Sequence, residues 1–246
     1  MSLLDLTGRV ALVTGGGTRL GAAIVRALAA AGCDVVIHYA TSVAGARAVG
    51  ADVERLGRRA TLIQADLTVR ADLDRLAAEA LAATGRIDVL VHSAANFERV
   101  PTDALTAEAW DRALALNTTA PYLLTLALAP ALRAVRGSVV AITCLSATRP
   151  WKNYLPYTVS KVALTGLVHS LALGLAPEVR VNAVAPGTVL PPDDYDAAAL
   201  ERIRARTPLQ RLGEAGDVAR AVVFLAQNDY LTGQTIAADG GRLLAD

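Results

Sequence analysis

Tyr157 and Lys161 stand four residues apart at the head of an amphipathic run, Tyr157-Thr158-Val159-Ser160-Lys161. Residues at this spacing share a helix face, which predicts a phenol and an ammonium side by side. A neighbouring cation favours phenolate and draws a tyrosine pKa down from about 10 toward the range useful for proton transfer. The pair therefore reads as an acid/base, with an interfacial tyrosine beside a solvated lysine as the plainer alternative. Lys152 and Lys161 are the only lysines, against 22 arginines. A lysine at this spacing suits a task that arginine, always charged, does not perform.

A second segment has the residue types to hold phosphate. The apolar run Arg9 to Thr14 leads into Thr14-Gly15-Gly16-Gly17-Thr18-Arg19-Leu20-Gly21 and then into a helix-periodic stretch. Strand, glycine turn and helix in that order bring backbone N–H groups and the positive end of a helix to a pyrophosphate. Dinucleotide binding is one reading; a glycine turn without a ligand is the other, because the usual Gly-x-Gly-x-x-Gly spacing is absent. The next strand ends in His38-Tyr39-Ala40-Thr41-Ser42, with no acidic residue to hold an unphosphorylated ribose. Arg19, Thr41 and Ser42 offer a cation and hydroxyl donors to a 2′-phosphate, which favours NADP(H) over NAD(H). Arg19 also reads as a surface charge, and Thr41 and Ser42 as a helix N-cap. Asp66, after the third strand, is placed either to accept from an adenine amino group or to cap the helix that follows Leu67.

Other chemistries lack their supports. Cys33 and Cys144 are too few for a disulfide framework or a thiolate zinc site, and His38, His92 and His169 never pair at metal-ligand spacing, so no metal is expected. There is no Walker loop and no Gly-x-Ser-x-Gly elbow. Lys+Arg 24 against Asp+Glu 23 leaves a net charge of +1 without a basic run, so neither nucleic acid nor anionic lipid is an expected partner. No stretch approaches the roughly 18 uninterrupted apolar residues of a membrane span. Met1 to Gly8 lack a basic region followed by an apolar core, and a cytoplasmic location is expected.

The elements that must position these residues alternate along the chain. Strands are expected at Arg9 to Thr14, Asp34 to Tyr39, Ala60 to Gln64, Val89 to Ser93, Ser138 to Thr143, Arg180 to Ala185 and Thr235 to Ala238. Helices are expected near Leu20 to Ala31, Val43 to Leu56, Ala71 to Thr84, Ala107 to Ala134, Tyr157 to Leu175 and Asp217 to Ala226. Repeated βα units of this kind predict an α/β fold with a parallel sheet covered on both faces. No linker divides the 246 residues, so one domain is expected, with residues 187–207 as a loop beside a small-molecule substrate.

Taken in order along essentially the whole chain, these features resemble the short-chain dehydrogenase/reductase family. The glycine loop, Asp66, Asn117, Tyr157-x-x-x-Lys161, Pro186-Gly187, Thr232-Gly233-Gln234 and Asp239-Gly240-Gly241 carry the resemblance. It implies a single Rossmann-type doubly wound domain with a seven-stranded sheet, a nicotinamide cofactor, and hydride transfer with Tyr157 as proton donor. Lys161 would hold the nicotinamide ribose and lower the tyrosine pKa, and Asn117 would support a water-linked proton relay. Cofactor contacts would fall on Gly15, Thr18, Arg19, Leu20, Tyr39, Thr41, Ser42, Asp66, Leu67, Ser93, Ala94, Ala95, Tyr157, Lys161, Pro186 and Gly187. The two long helices would pair across subunits in a homotetramer, with Leu243 and Leu244 in a further contact.

Within the family the chain is similar to the pteridine reductase branch. Arg19 in the loop, Ile37-His38-Tyr39-x-x-Ser42 and Ala120-Pro121-Tyr122 follow that branch. Phe97 falls where the branch sandwiches a pterin against nicotinamide, although a loop-anchoring phenylalanine is the plainer reading. Two positions depart from the family. Cys144, 13 residues before Tyr157, replaces the usual serine or the branch's aspartate, and a thiol is a weak donor for polarising substrate. Ser146 stands near enough in sequence to take that task. His92-Ser93-Ala94-Ala95 replaces Asn-Asn-Ala-Gly. The expectation is an NADPH-dependent reductase of a pterin-like C=N bond, in a dihydropterin or dihydrofolate. The alternatives are a carbonyl reductase of ketones or 3-oxoacyl thioesters and a non-catalytic NADP(H)-binding sensor.

Overall fold

The computed structural model describes residues 3–191 and 195–245. Its strands are β1 (Val10–Thr14), β2 (Asp34–Tyr39), β3 (Ala60–Gln64), β4 (Val89–His92), β5 (Ser138–Ile142), β6 (Arg180–Pro186) and β7 (Thr235–Ala238). All pair in parallel, in the order β3-β2-β1-β4-β5-β6-β7. The helices are α1 (Arg19–Ala30), α2 (Val43–Arg55), α3 (Arg70–Thr84), α4 (Ala107–Leu114), α5 (Ala120–Ala134), α6 (Leu155–Leu175), α7 (Ala197–Ala205) and α8 (Ala215–Gln227).

Successive strand residues point to opposite faces, and this period divides the interior into two cores. Val10 and Leu12 of β1 join Leu76, Leu124 and Leu164, under α3, α5 and α6. Ala11 and Val13 join Ile24, Val53 and Val222, under α1, α2 and α8. Burial on both faces explains why the strands read as unbroken Val/Ile/Leu/Ala runs. Chain order runs outward from β1 to β3 on one side and from β4 to β7 on the other. The C-terminal ends of β1 and β4 therefore flank the switch point, where open α/β sheets bind ligands.

The run from Ala107 to Ala134 is not one helix as expected. α4 stops at Leu114, a wide π turn covers Ala115–Thr119, and α5 continues from Ala120 with Pro121 in its first turn. Such turns insert one residue into a helix and mark functional sites. α6 begins at Leu155, with Pro156 in its first turn, so Tyr157 lies within the opening turn. The segments Ala107–Ala134 and Leu155–Leu175 are long and apolar enough to cross a membrane by length and composition, but each lays one side on the sheet. Of the expected loop 187–207, Ala197–Ala205 is helical, and Pro192, Asp193 and Asp194 lie outside the described residues.

Candidate active site

The glycine loop leaves β1 as a tight cradle. Gly15 adopts φ 65°, and a Cβ on Gly21 would stand 2.1 Å from the Gly15 carbonyl oxygen, so the first turn of α1 seats directly on the loop. Thr18, the N-cap of α1, makes no side-chain capping bond, and no acidic residue lies in the first turn. The helix N-terminus thus keeps its donors and positive end for an anion, which fits the diphosphate of a nicotinamide cofactor. The Thr14 hydroxyl accepts from the backbone N–H groups of Ser93 at 3.0 Å and Ala94 at 3.1 Å. It ties the end of β4 to the cradle. His38 braces it from the other side, with Nδ1 accepting the Gly15 N–H at 3.0 Å and Nε2 donating to the Ala65 carbonyl at 3.0 Å. Sequence reasoning gave neither Thr14 nor His38 a task. The polar character of two residues inside apolar strands was the available signal.

A hollow of about 550 Å³ beyond β2 and β3 is lined by residues that include Thr41 and Asp66, with Tyr39 half-buried at the end of β2. Ser42 is the N-cap of α2 and makes no side-chain capping bond, which leaves its hydroxyl available. Asp66 Oδ1 accepts from the Thr68 N–H at 2.9 Å and its hydroxyl at 2.7 Å, so one carboxylate oxygen braces the turn before α3. The Leu67 side chain is buried in the core and lines neither cavity. Arg19 does not line this hollow with Thr41. It lines a different cavity, where its Nη2 donates to the Leu190 carbonyl at 2.5 Å.

That second cavity, about 640 Å³, opens at the switch point and has the volume of a small-molecule site. Its walls bring together Leu20, Ser93, Ala95, Phe97, Cys144, Tyr157, Lys161, Pro186 and Gly187, all expected at the site, and Leu190 from the expected loop. Ala94 lies at the cavity edge against Gly15, whose Cβ would meet its Cα at 3.0 Å. Ser146 is not brought there. It is fully buried, its hydroxyl has no partner, and it does not line the cavity, because the turn at Leu145–Ala147 directs it inward. It cannot replace Cys144.

Lys161 is buried in α6, donates Nζ to the Ile142 carbonyl at 2.8 Å, and lies 5.7 Å from the centre of the Tyr157 ring. Burial pulls its pKa down to about 8. The Tyr157 pKa moves opposite to the expectation: burial first, then Cys144 and Tyr154, push it well above 10. Desolvation of a phenolate outweighs a cation at this distance. A neutral phenol can give a proton, and a buried ammonium with donors to spare can hold a ribose hydroxyl. His92, at the end of β4, is buried with Nε2 at 2.8 Å from the Thr125 hydroxyl, and burial lowers its pKa to about 3. It is a neutral spacer beneath Lys161.

Asn117 occupies the π turn with its side chain fully committed. Oδ1 accepts from the Asn96 N–H at 3.0 Å, and Nδ2 donates to the Asn96 carbonyl at 3.2 Å and to Ser160 Oγ at 2.9 Å. Ser160 in turn donates to the Tyr157 carbonyl at 2.6 Å. The Asn117 side chain therefore braces the first turn of α6 against the loop carrying Phe97. Ser160 completes that brace and was missed by sequence reasoning.

Cys144 packs in one buried cluster with Tyr154 and Tyr157, and its sulfur accepts from the Ser146 N–H at 3.4 Å. Phe97 stacks on Tyr154 at 4.7 Å and 17° and meets Tyr157 edge-on at 4.7 Å. Trp151 closes the group at 6.0 Å from Tyr154. Trp151, Tyr154 and Tyr157 follow one another at intervals of three, a sequence signal for one continuous aromatic wall.

Comparison with known proteins agrees with this arrangement. Residues 17–242 match the family model described as Enoyl-(Acyl carrier protein) reductase. The chain is 38% identical over 243 residues to a Streptomyces violaceoruber protein named as ketoacyl reductase 2 of the granaticin polyketide synthase, covering 96% of each chain. It is 34% identical over 261 residues to a short-chain dehydrogenase/reductase of Cladobotryum sp, covering 98% of this chain and 96% of that one. The crystal structure of FolM alternative dihydrofolate reductase 1 from Brucella canis, complexed with NADP, superposes with TM-score 0.91 at 36% identity, covering 98% of this chain and 96% of that one. A doubly wound parallel sheet, a diphosphate cradle at its switch point and a Tyr157/Lys161 pair on the cavity wall, matched along nearly the whole chain, make this protein an oxidoreductase of the short-chain dehydrogenase/reductase family.

Proposed function

We propose that the protein is an NADPH-dependent reductase of a pterin-like C=N bond, in a dihydropterin or dihydrofolate. The observation that carries this reading is the Phe97 ring on the cavity wall, 41% exposed and edge-on to Tyr157. It offers a flat aromatic surface immediately beside a proton source, the geometry a planar heterocycle needs. The resemblance to the Brucella canis protein supports the same substrate class. NADP(H) is preferred because the end of β2 carries Thr41 and an uncapped Ser42 where an acidic residue would repel a 2′-phosphate.

In this mechanism the residues of the cradle, Gly15 to Leu20, hold the diphosphate on the N-terminus of α1, and Lys161 holds the nicotinamide ribose. The bound cofactor supplies a hydride. Phe97 orients the substrate ring in the slot. Tyr157, kept neutral by burial, gives its phenolic proton to the ring nitrogen as the adjacent carbon is reduced, and Lys161 stabilises the resulting phenolate. Asn117 and Ser160 fix the turn that aims the phenol. A carbonyl reductase is the second reading, favoured by the likeness to a protein named as a ketoacyl reductase.

Purified protein is tested for NADPH and NADH oxidation with dihydrobiopterin, dihydrofolate, a diketone and a 3-oxoacyl thioester, with Tyr157→Phe as control. Turnover of a pterin with NADPH that is lost in the variant is expected. Turnover of the carbonyl compounds alone replaces the pterin reading with the second one. Exposed Tyr122 and Leu126 on α5 and Val162 and Leu173 on α6 suit a homotetramer, for which light scattering is expected to give about four times 25.5 kDa. A monomeric mass would refute it.

A further inference from the structure

Four arginines line the cavity, Arg19, Arg149, Arg206 and Arg242, and among the described residues no carboxylate lines it with them. Arg19 belongs to the cradle side. The other three come from separate segments: Arg149 from the loop after β5, Arg206 from the end of α7, and Arg242 from the C-terminal turn. The fold draws them together. Nη1 of Arg149 and Nη1 of Arg242 both donate to the Ala245 carbonyl, and the Leu209 N–H donates to the Gly240 carbonyl at 3.1 Å, tying the chain after Arg206 to the turn before Arg242.

Among the described residues, the acidic groups nearest in sequence to Arg206 and Arg242 are spent elsewhere. Asp239 accepts from the Gly241 N–H at 2.9 Å and the Leu243 N–H at 2.8 Å. Glu201 is paired with Arg204 at 2.7 Å. None of the three rim arginines forms a salt bridge among the described residues. Like charges gathered at the mouth of an apolar, ring-lined cavity repel one another unless an anion enters between them, and guanidinium groups bind carboxylate and phosphate oxygens through paired donors.

We infer that the substrate carries an anionic group, a carboxylate or a phosphate, at the end far from the reacting bond, and that Arg149, Arg206 and Arg242 receive it. This rests on the proposed reductase reading for the location of the reacting bond, and it narrows that reading toward a pterin with a carboxylate tail. The neutral end of the substrate meets Phe97 and Tyr157, and its charged end meets the rim.

The test compares kcat/KM within two matched pairs, using the full chain and NADPH. Dihydrofolate is set against dihydrobiopterin, and acetoacetyl coenzyme A against the N-acetylcysteamine thioester of the same acyl group. Each pair is measured in the wild type, in Arg206→Gln and in Arg242→Gln, at low and high salt. Arg206 has no side-chain hydrogen bond among the described residues, so Arg206→Gln is expected to melt with the wild type. The anionic member of the reactive pair is expected to be preferred by about tenfold or more. That preference should fall toward unity in either variant and shrink as salt rises. A preference below about twofold, or one that both variants retain, overturns the inference while leaving pterin reduction standing. Anion-dependent turnover of the thioester pair alone supports the rim, identifies the anion as phosphate, and removes the pterin reading. Turnover of none of the four compounds overturns both.

Discussion

His38 Nδ1 accepts the backbone N–H of Gly15 across 3.0 Å, and this bond fixes the ring's tautomer, because Nε2 must then carry the proton it gives to Ala65. Burial lowers the His38 pKa and so keeps that acceptor available. His38→Leu would leave the Gly15 N–H without a partner in the folded loop, at a cost of about 1–3 kcal/mol. The expected outcome is a rise of about tenfold or more in the Kd for NADPH by fluorescence titration, with His38→Asn closer to the wild type because its amide oxygen restores an acceptor. An unchanged Kd in His38→Leu would show that the cradle holds its shape without the bond.

Lys161 and Tyr157 divide the pH scale between them. Lys161 loses its proton at about 8, whereas the Tyr157 phenol, raised well above 10, stays protonated through the same range. A falling limb in kcat/KM for reduction is therefore expected above about pH 8, belonging to the ammonium that stabilises the developing phenolate. Lys161→Arg should lower the plateau and remove the limb, since guanidinium does not titrate there. A limb appearing only above about pH 10 would assign it to the phenol instead.

The same lysine makes a prediction about stability. Its folded pKa is depressed from 10.5 to about 8, so between those values the unfolded chain binds more protons than the folded one, and stability rises with pH. Below about pH 8 the cost of burying the charge is present in full, of order 3 kcal/mol from a shift of about 2.5 units. Lys161→Met removes that cost and loses one hydrogen bond, to Ile142, of about 1–2 kcal/mol. The expected variant is inactive and melts above the wild type at pH 7, and this difference shrinks as pH rises above about 8 and reverses toward pH 10. A variant that melts below the wild type at pH 7 would mean that the bond to Ile142 outweighs the burial of charge.

What the chain disclosed beforehand follows from the range of the forces involved. The bounds of β2 are legible because Val35, Val36 and Ile37 form a buried apolar run, whereas β3 and β7, the partly buried edge strands, are legible from their place in the repeated βα order. The Tyr157/Lys161 pair is legible because its geometry is local to one helix. The break between α4 and α5 is not, since Ala115-Leu116-Asn117-Thr118-Thr119 keeps a helical pattern and the turn is fixed by bonds from Asn117 to Asn96 and Ser160. The bond from Arg19 to Leu190 is hidden for the same reason: the two lie 171 residues apart, and a long side chain carries no sign of its direction. The direction of the Tyr157 shift depends on burial by Tyr154 and Cys144, which neighbouring residue types do not reveal. The arginine rim is assembled from three segments whose only common feature is the fold.

Cys144 provides the sharpest separation between the two substrate readings. It is 7% exposed, packed in one cluster with Tyr157, and its sulfur already accepts from the Ser146 N–H. A thiol is a weak donor, so the wild-type cavity polarises a carbonyl oxygen poorly, and the buried Ser146 does not line the cavity to compensate. A C=N bond in a stacked heterocycle depends less on that donor, because Phe97 orients the ring and the nitrogen is the proton's destination. Cys144→Ser supplies a stronger donor at the same position and is expected to raise kcat/KM for acetoacetyl thioesters by about tenfold. Dihydropterin reduction should change by less than about threefold, within the cost of one rearranged hydrogen bond. The ratio of the two kcat/KM values, measured in one preparation, is the readout that decides. If serine leaves that ratio unchanged, position 144 does not polarise the substrate, and the choice between pterin and carbonyl rests on the aromatic slot alone.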